Sequence, residues 1–200
     1  MKLYYSPGAC SLASHIALRE LGRPFQLVAV NLARKVTATG ADFNAINPKG
    51  YVPALELDDG AVLTEGTAVL QYLADLAPAG ALAPPNGTLA RYRLQEWLGF
   101  INSELHKSFG PLFDPTAPDA AKERARALLG RRLAYLDGVL VAPYLMGDAF
   151  TVADAYLYTV LSWAGHVGID LAAWPAVQAY FGRLATRPSI QAARAAEHVR

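Results

Sequence analysis

Residues 1–11 read Met1-Lys2-Leu3-Tyr4-Tyr5-Ser6-Pro7-Gly8-Ala9-Cys10-Ser11, and this stretch decides the fold class. A short apolar run, Lys2 to Tyr5, has the composition of a strand, and Ser6-Pro7-Gly8 is a chain-reversing turn. The residues from Cys10 to Leu21 then keep helical period and stop at Gly22 and Pro24. With Phe25 to Val30 as a second strand the segment is a βαβ unit, so an α/β domain is expected at the N-terminus. Its one cysteine falls at the start of the first helix. There, unpaired backbone N–H groups and the positive end of the helix dipole favour a thiolate, and a lowered thiol pKa is expected.

Further along, Ala54-Leu55-Glu56-Leu57, the turn Asp58-Asp59-Gly60 and Val62-Leu63 predict a hairpin, followed by a helix from Glu65 to Leu76. Residues 78–87 hold three prolines and two glycines, the composition of an exposed connection. Beyond it the period is helical throughout. Leu94, Trp97, Leu98, Ile101 and Leu105 mark one long helix, and others are expected near 118–140, 151–167 and 174–186. The organisation expected is an α/β domain over residues 1–77, a linker over 78–87 and an all-α domain over 88–200.

Composition narrows the function. The 18 Lys and Arg against 17 Asp and Glu leave a net charge of +1 with no basic stripe, which argues against nucleic acid. No apolar run approaches the ~20 residues of a membrane span, and the N-terminus lacks a signal-peptide pattern, so a cytoplasmic protein is expected. A single cysteine allows neither an internal disulfide nor a Cys-rich metal cage, and no metal is expected.

Four further segments carry chemistry. Tyr51-Val52-Pro53-Ala54 places a proline at a strand entrance, where a cis bond would expose the Val52 backbone to an extended peptide-like ligand. Thr64-Glu65-Gly66-Thr67 opens a helix whose free N–H groups suit a carboxylate, while Glu65 suits an ammonium. Gly99, Ser103, His106 and Gly110 form a small, polar stripe, in which His106, followed by Lys107, offers a neutral or cationic donor to a thiolate. Lys35 lies in a polar loop, where a surface lysine is the default. By contrast Thr151 and Asp154 read as a capping box inside an apolar helix, a structural device.

These motifs together resemble the glutathione transferases, and most closely their bacterial beta class. The resemblance is carried by residues 1–11, Asn47-Pro48-Lys49-Gly50, Leu63-Thr64-Glu65-Gly66 and Ser103-Glu104-Leu105-His106-Lys107. It implies a thioredoxin-like N-terminal domain, a helical C-terminal domain and a two-fold symmetric homodimer. It further implies that Cys10 and His106 lie by the glutathione sulfur and that the main chain of Val52 pairs with the cysteinyl unit. Glu65 and Gly66 would hold the γ-glutamyl end, and Lys35 would meet the glycyl carboxylate. Ser103 and Glu104 would add contacts near the site, partly to the neighbouring subunit's ligand. Gly99 stands where related sequences often have a polar side chain such as asparagine, and Gly66 lacks the hydroxyl many transferases have.

The activity so implied is conjugation of glutathione to small hydrophobic electrophiles, with detoxification as its role. Two other readings stay open at the level of sequence. One is thiol–disulfide exchange or reductive dehalogenation through a Cys10–glutathione mixed disulfide. The other is a non-catalytic carrier of glutathione or a hydrophobic ligand.

Overall fold

The computed structural model describes residues 1–78 and 80–198. Ala79, inside the linker expected over 78–87, and the last two residues of the chain lie outside the described residues. Strands β1 (Lys2–Tyr5), β2 (Gln26–Asn31), β3 (Val36–Thr37), β4 (Ala54–Glu56) and β5 (Val62–Thr64) form one sheet in the order β3-β2-β1-β4-β5. The β1–β2 pair is parallel because helix α1 (Ser11–Leu21) carries the chain back between them, and all other pairs are antiparallel. α1 ends at Gly22, whose φ of 69° is left-handed and open to a residue without a Cβ. A short helix α2 (Phe43–Ile46) precedes the turn into β4, and α3 (Gly66–Asp75) closes this half of the molecule.

The second half is helical: α4 (Leu89–Phe100), α5 (Gly110–Phe113), α6 (Asp119–Val139), α7 (Val152–Leu161), α8 (Pro175–Ala185) and α9 (Pro188–Ala196). β3, α2 and α9 are additions to the elements read from sequence. The long helix expected through residue 105 is broken. α4 gives way to a π-helical turn at Ile101–Leu105 and then a 3₁₀ turn at His106–Phe109, before α5 resumes. The helix expected over 151–167 likewise ends at Leu161.

α1 is the keystone. One side packs on β1 and α3, and the other on α7 and α9, so the first helix joins the sheet to the helical half. Leu12, Ile16 and Leu18 are fully buried in the main core with Leu70, Leu73, Leu157 and Ile190. α7 is buried along its whole length, which explains its unbroken apolar reading. Its start is the Thr151–Asp154 capping box. Asp154 is completely buried and also accepts hydrogen bonds from the Leu145 N–H at 2.8 Å and the Tyr180 hydroxyl at 2.7 Å.

Candidate functional site

The loop after β1 delivers Cys10 to the N-cap position of α1, and the π-helical turn after α4 delivers His106 opposite it. Between them lies a pocket of about 280 Å³, lined by Cys10, Val52, Glu65, Gly66, Asn102, His106 and Tyr156 among others. Five of the site residues expected from sequence therefore meet: Cys10, Val52, Glu65, Gly66 and His106. The Val52–Pro53 bond is cis. A second, wider cavity of about 850 Å³ adjoins the first and is walled by Phe109, Phe113 and Trp163. Cys10, His106 and Lys107 line both.

The Cys10 thiol departs from the sequence expectation. Burial pushes it up to about 11; the backbone N–H groups of Cys10 and Ser11 and the Lys107 charge act downward, as the helix start predicts, but are outweighed. Its S–H donates to the Val52 carbonyl at 3.1 Å, so Cys10 stands at neutral pH as a protonated donor. His106 is pulled down to about 4 by burial, reinforced by the Lys107 cation, which removes the cationic option at neutral pH. Its Nδ1 lies 2.7 Å from the Tyr156 hydroxyl, and that hydroxyl donates to Asn102 Oδ1 at 3.0 Å.

Glu65 sits at the mouth with φ 67°, a conformation that costs a residue bearing a Cβ roughly 1–3 kcal/mol. Its Oε1 accepts from Lys49 Nζ at 2.6 Å and the Tyr51 hydroxyl at 2.7 Å, and these bonds hold its carboxyl below the usual range. α3 begins here without a side-chain cap, its first internal bonds running from the Ala68 and Val69 N–H groups to the Glu65 carbonyl. The helix start is open to an external carboxylate.

Three expected residues stand apart. Lys35 donates to the Gly50 carbonyl at 2.7 Å and does not line the pocket. Ser103 bonds back to the Gly99 carbonyl at 3.0 Å, and Glu104 pairs with Arg132 Nε at 2.9 Å; neither lines this chain's pocket. The expected stripe is thus split, His106 and Gly110 reaching the cavities while Gly99 and Ser103 do not. A π-helical turn interrupts this stripe at Ile101–Leu105, and it is Asn102 rather than Ser103 that lines the pocket. Asn102, Tyr51 and Tyr156 were not read from sequence. Among the described residues no group of three or more His, Cys, Asp or Glu side chains is arranged to hold a metal ion.

Comparison with known proteins gives this geometry a family. Residues 8–76 match the model of the glutathione S-transferase N-terminal domain, and residues 100–188 that of the C-terminal domain. The chain is 50% identical over 198 residues to glutathione S-transferase GstA of Escherichia coli O157:H7, covering 98% of each. This chain belongs to the glutathione S-transferase family. Its fold is that of solved transferases: the beta-class enzyme of Sphingomonas chungbukensis and a sphingomonad transferase complexed with glutathione. Each superposes with a TM-score of 0.96 at 52% identity over the full length of both chains. Beta-class membership and the thioredoxin-like first half follow. No helix among the described residues of this transferase is long and apolar enough to cross a membrane.

Proposed function

We propose that this transferase binds glutathione in the small pocket and conjugates it to a hydrophobic electrophile held in the aromatic cavity. One observation carries the reading: Cys10, His106 and Lys107 line both spaces, so a thiol at the end of one meets a carbon in the other. The γ-glutamyl carboxylate goes to the start of α3 at Gly66, its ammonium to Glu65, and the cysteinyl unit to the Val52 main chain. Lys35, beyond Gly50, takes the glycyl carboxylate. The Cys10 S–H turns from the Val52 carbonyl to donate to the glutathione sulfur, and Lys107 supplies positive charge as thiolate character develops. A protonated Cys10 supports this donor role over a mixed disulfide.

A homodimer belongs to the same reading. Ser103 and Glu104, which miss this chain's own pocket, would reach toward the neighbouring subunit's ligand. The exposed aromatics Tyr92 on α4 and Tyr135 on α6 supply apolar surface for such a contact. A cytoplasmic location and a detoxifying role are proposed with it, on residues 1–77 as glutathione-binding and 88–200 as electrophile-binding domains.

Titration calorimetry tests the first step. Wild type should bind glutathione, and Glu65→Gln should weaken that binding by about tenfold or more, as expected when a partner of a charged group is removed. No heat from the wild type at millimolar glutathione would contradict the proposal.

A further inference from the structure

The inner wall of the small pocket carries a chain of three side chains whose hydrogens can be counted. Asn102 stands in the π-helical turn, His106 follows it directly, and Tyr156 reaches both from α7. The Tyr156 hydroxyl donates to Asn102 Oδ1 at 3.0 Å and lies 2.7 Å from His106 Nδ1. A phenol has one hydrogen, and an amide oxygen only accepts. The assignment that satisfies all three side chains gives that hydrogen to Asn102 Oδ1 and runs the bond to the imidazole from Nδ1–H to the phenol oxygen. The neutral ring then carries its proton on Nδ1 and a bare lone pair on Nε2.

The arrangement is a closed one. Tyr156 is 2% exposed, so water cannot readily replace its partners. The Trp163 ring packs against the His106 ring in an edge-to-face arrangement, their centres 4.9 Å apart. Burial, aided by the negative charge of Glu65, raises the Tyr156 phenol, which keeps its hydrogen. The charged or titratable groups that line the small pocket with the ring are Cys10, Tyr51, Glu65, Lys107 and Tyr156 itself.

We propose that Tyr156 and Asn102 are positioning residues that hold His106 in the Nδ1–H tautomer, so that the Nε2 lone pair accepts a hydrogen bond from the glutathione thiol and orients its S–H for attack. The proposal rests on the assignment of the small pocket to glutathione. In the step the S–H bond breaks and its proton leaves to water. The freed sulfur pair forms the new S–C bond, and the leaving group departs with the electron pair of the bond it held. With the opposite tautomer, Nε2–H would face the thiol hydrogen and no acceptor would be in place.

Nitrogen-15 spectra of histidine-labelled, ligand-free protein read the tautomer directly, with His106 assigned by the signal lost in His106→Gln. Wild type should show a protonated Nδ1 and an unprotonated Nε2. In Tyr156→Phe the proton should move largely to Nε2, and kcat should fall roughly tenfold while KM for glutathione changes less than about twofold. Asn102→Ala keeps the phenol but frees its hydrogen to donate to Nδ1; it should move the proton in the same way and lower kcat similarly. A wild-type ring protonated on Nε2, or an Nδ1–H retained in both variants, would overturn the proposal. Failure of the wild type to bind glutathione contradicts the pocket's assignment and the catalytic half of the proposal. The tautomer, read without ligand, is tested separately.

Discussion

A thiol at a helix start is usually read as acidified, and at Cys10 burial reverses that. The consequence is kinetic. Alkylation of Cys10 by iodoacetamide should be slow at pH 7 and should keep rising up to about pH 10, because the thiolate fraction grows tenfold per pH unit below the thiol's pKa. A plateau near pH 7 would show that the helix start prevails over desolvation. The position of Cys10 was legible in the sequence, since strand, turn and helix are local features. Its ionisation was not, because the groups gathered around its pocket come from distant residues such as 52, 106 and 156. Tyr156 was hidden for a related reason: within a helix buried on every side a tyrosine reads as core, and nothing local points to a partner 50 residues away.

Among elements, α7 shows how far local signals carry. Thr151 and Asp154 were recognisable as a cap, and the structure adds bonds from Leu145 and Tyr180 to the same carboxylate. Asp154→Ala should therefore destabilise the protein by roughly 3 kcal/mol, because it strands several buried donors at once. Urea unfolding measures this, and glutathione affinity of the folded protein should stay near that of wild type. A loss below about 0.5 kcal/mol would mean that the cap is dispensable. The element after α4 was less legible. Leu94, Leu98, Ile101 and Leu105 satisfy the α-helical period and are all buried, yet the backbone between 101 and 105 winds as a π-turn. Apolar spacing is insensitive to one wider turn, whereas the polar face is displaced by it, so the core was read correctly and the stripe was not.

At the scale of the molecule, the chain's two halves are tied through α1. Glu20 near its end accepts from Arg187 Nε at 2.6 Å and Nη2 at 2.8 Å, and from the Ser189 hydroxyl at the start of α9. Burial would raise the Glu20 carboxyl, but Arg187 and Ser189 outweigh it and the net shift is downward. A lowered folded pKa means stability that is present above the unfolded value of ~4.3 and lost as pH falls through the folded one. Glu20→Gln should lower Tm at pH 7 by roughly 2–4 °C, with the gap closing toward pH 3. A gap of the same size at both values would contradict the linkage.

The shared junction of two pockets is the claim on which the function stands, and a kinetic split tests it most directly. Initial rates of glutathione transfer to 1-chloro-2,4-dinitrobenzene would be measured with each substrate varied in turn, for wild type, Glu65→Gln and Phe113→Ala. Glu65→Gln should raise KM for glutathione and leave KM for the electrophile near wild type; Phe113→Ala, which opens the aromatic wall, should do the reverse. If both variants raise the same KM, or if wild type transfers no glutathione at all, the two pockets do not divide the substrates between them and the account is wrong.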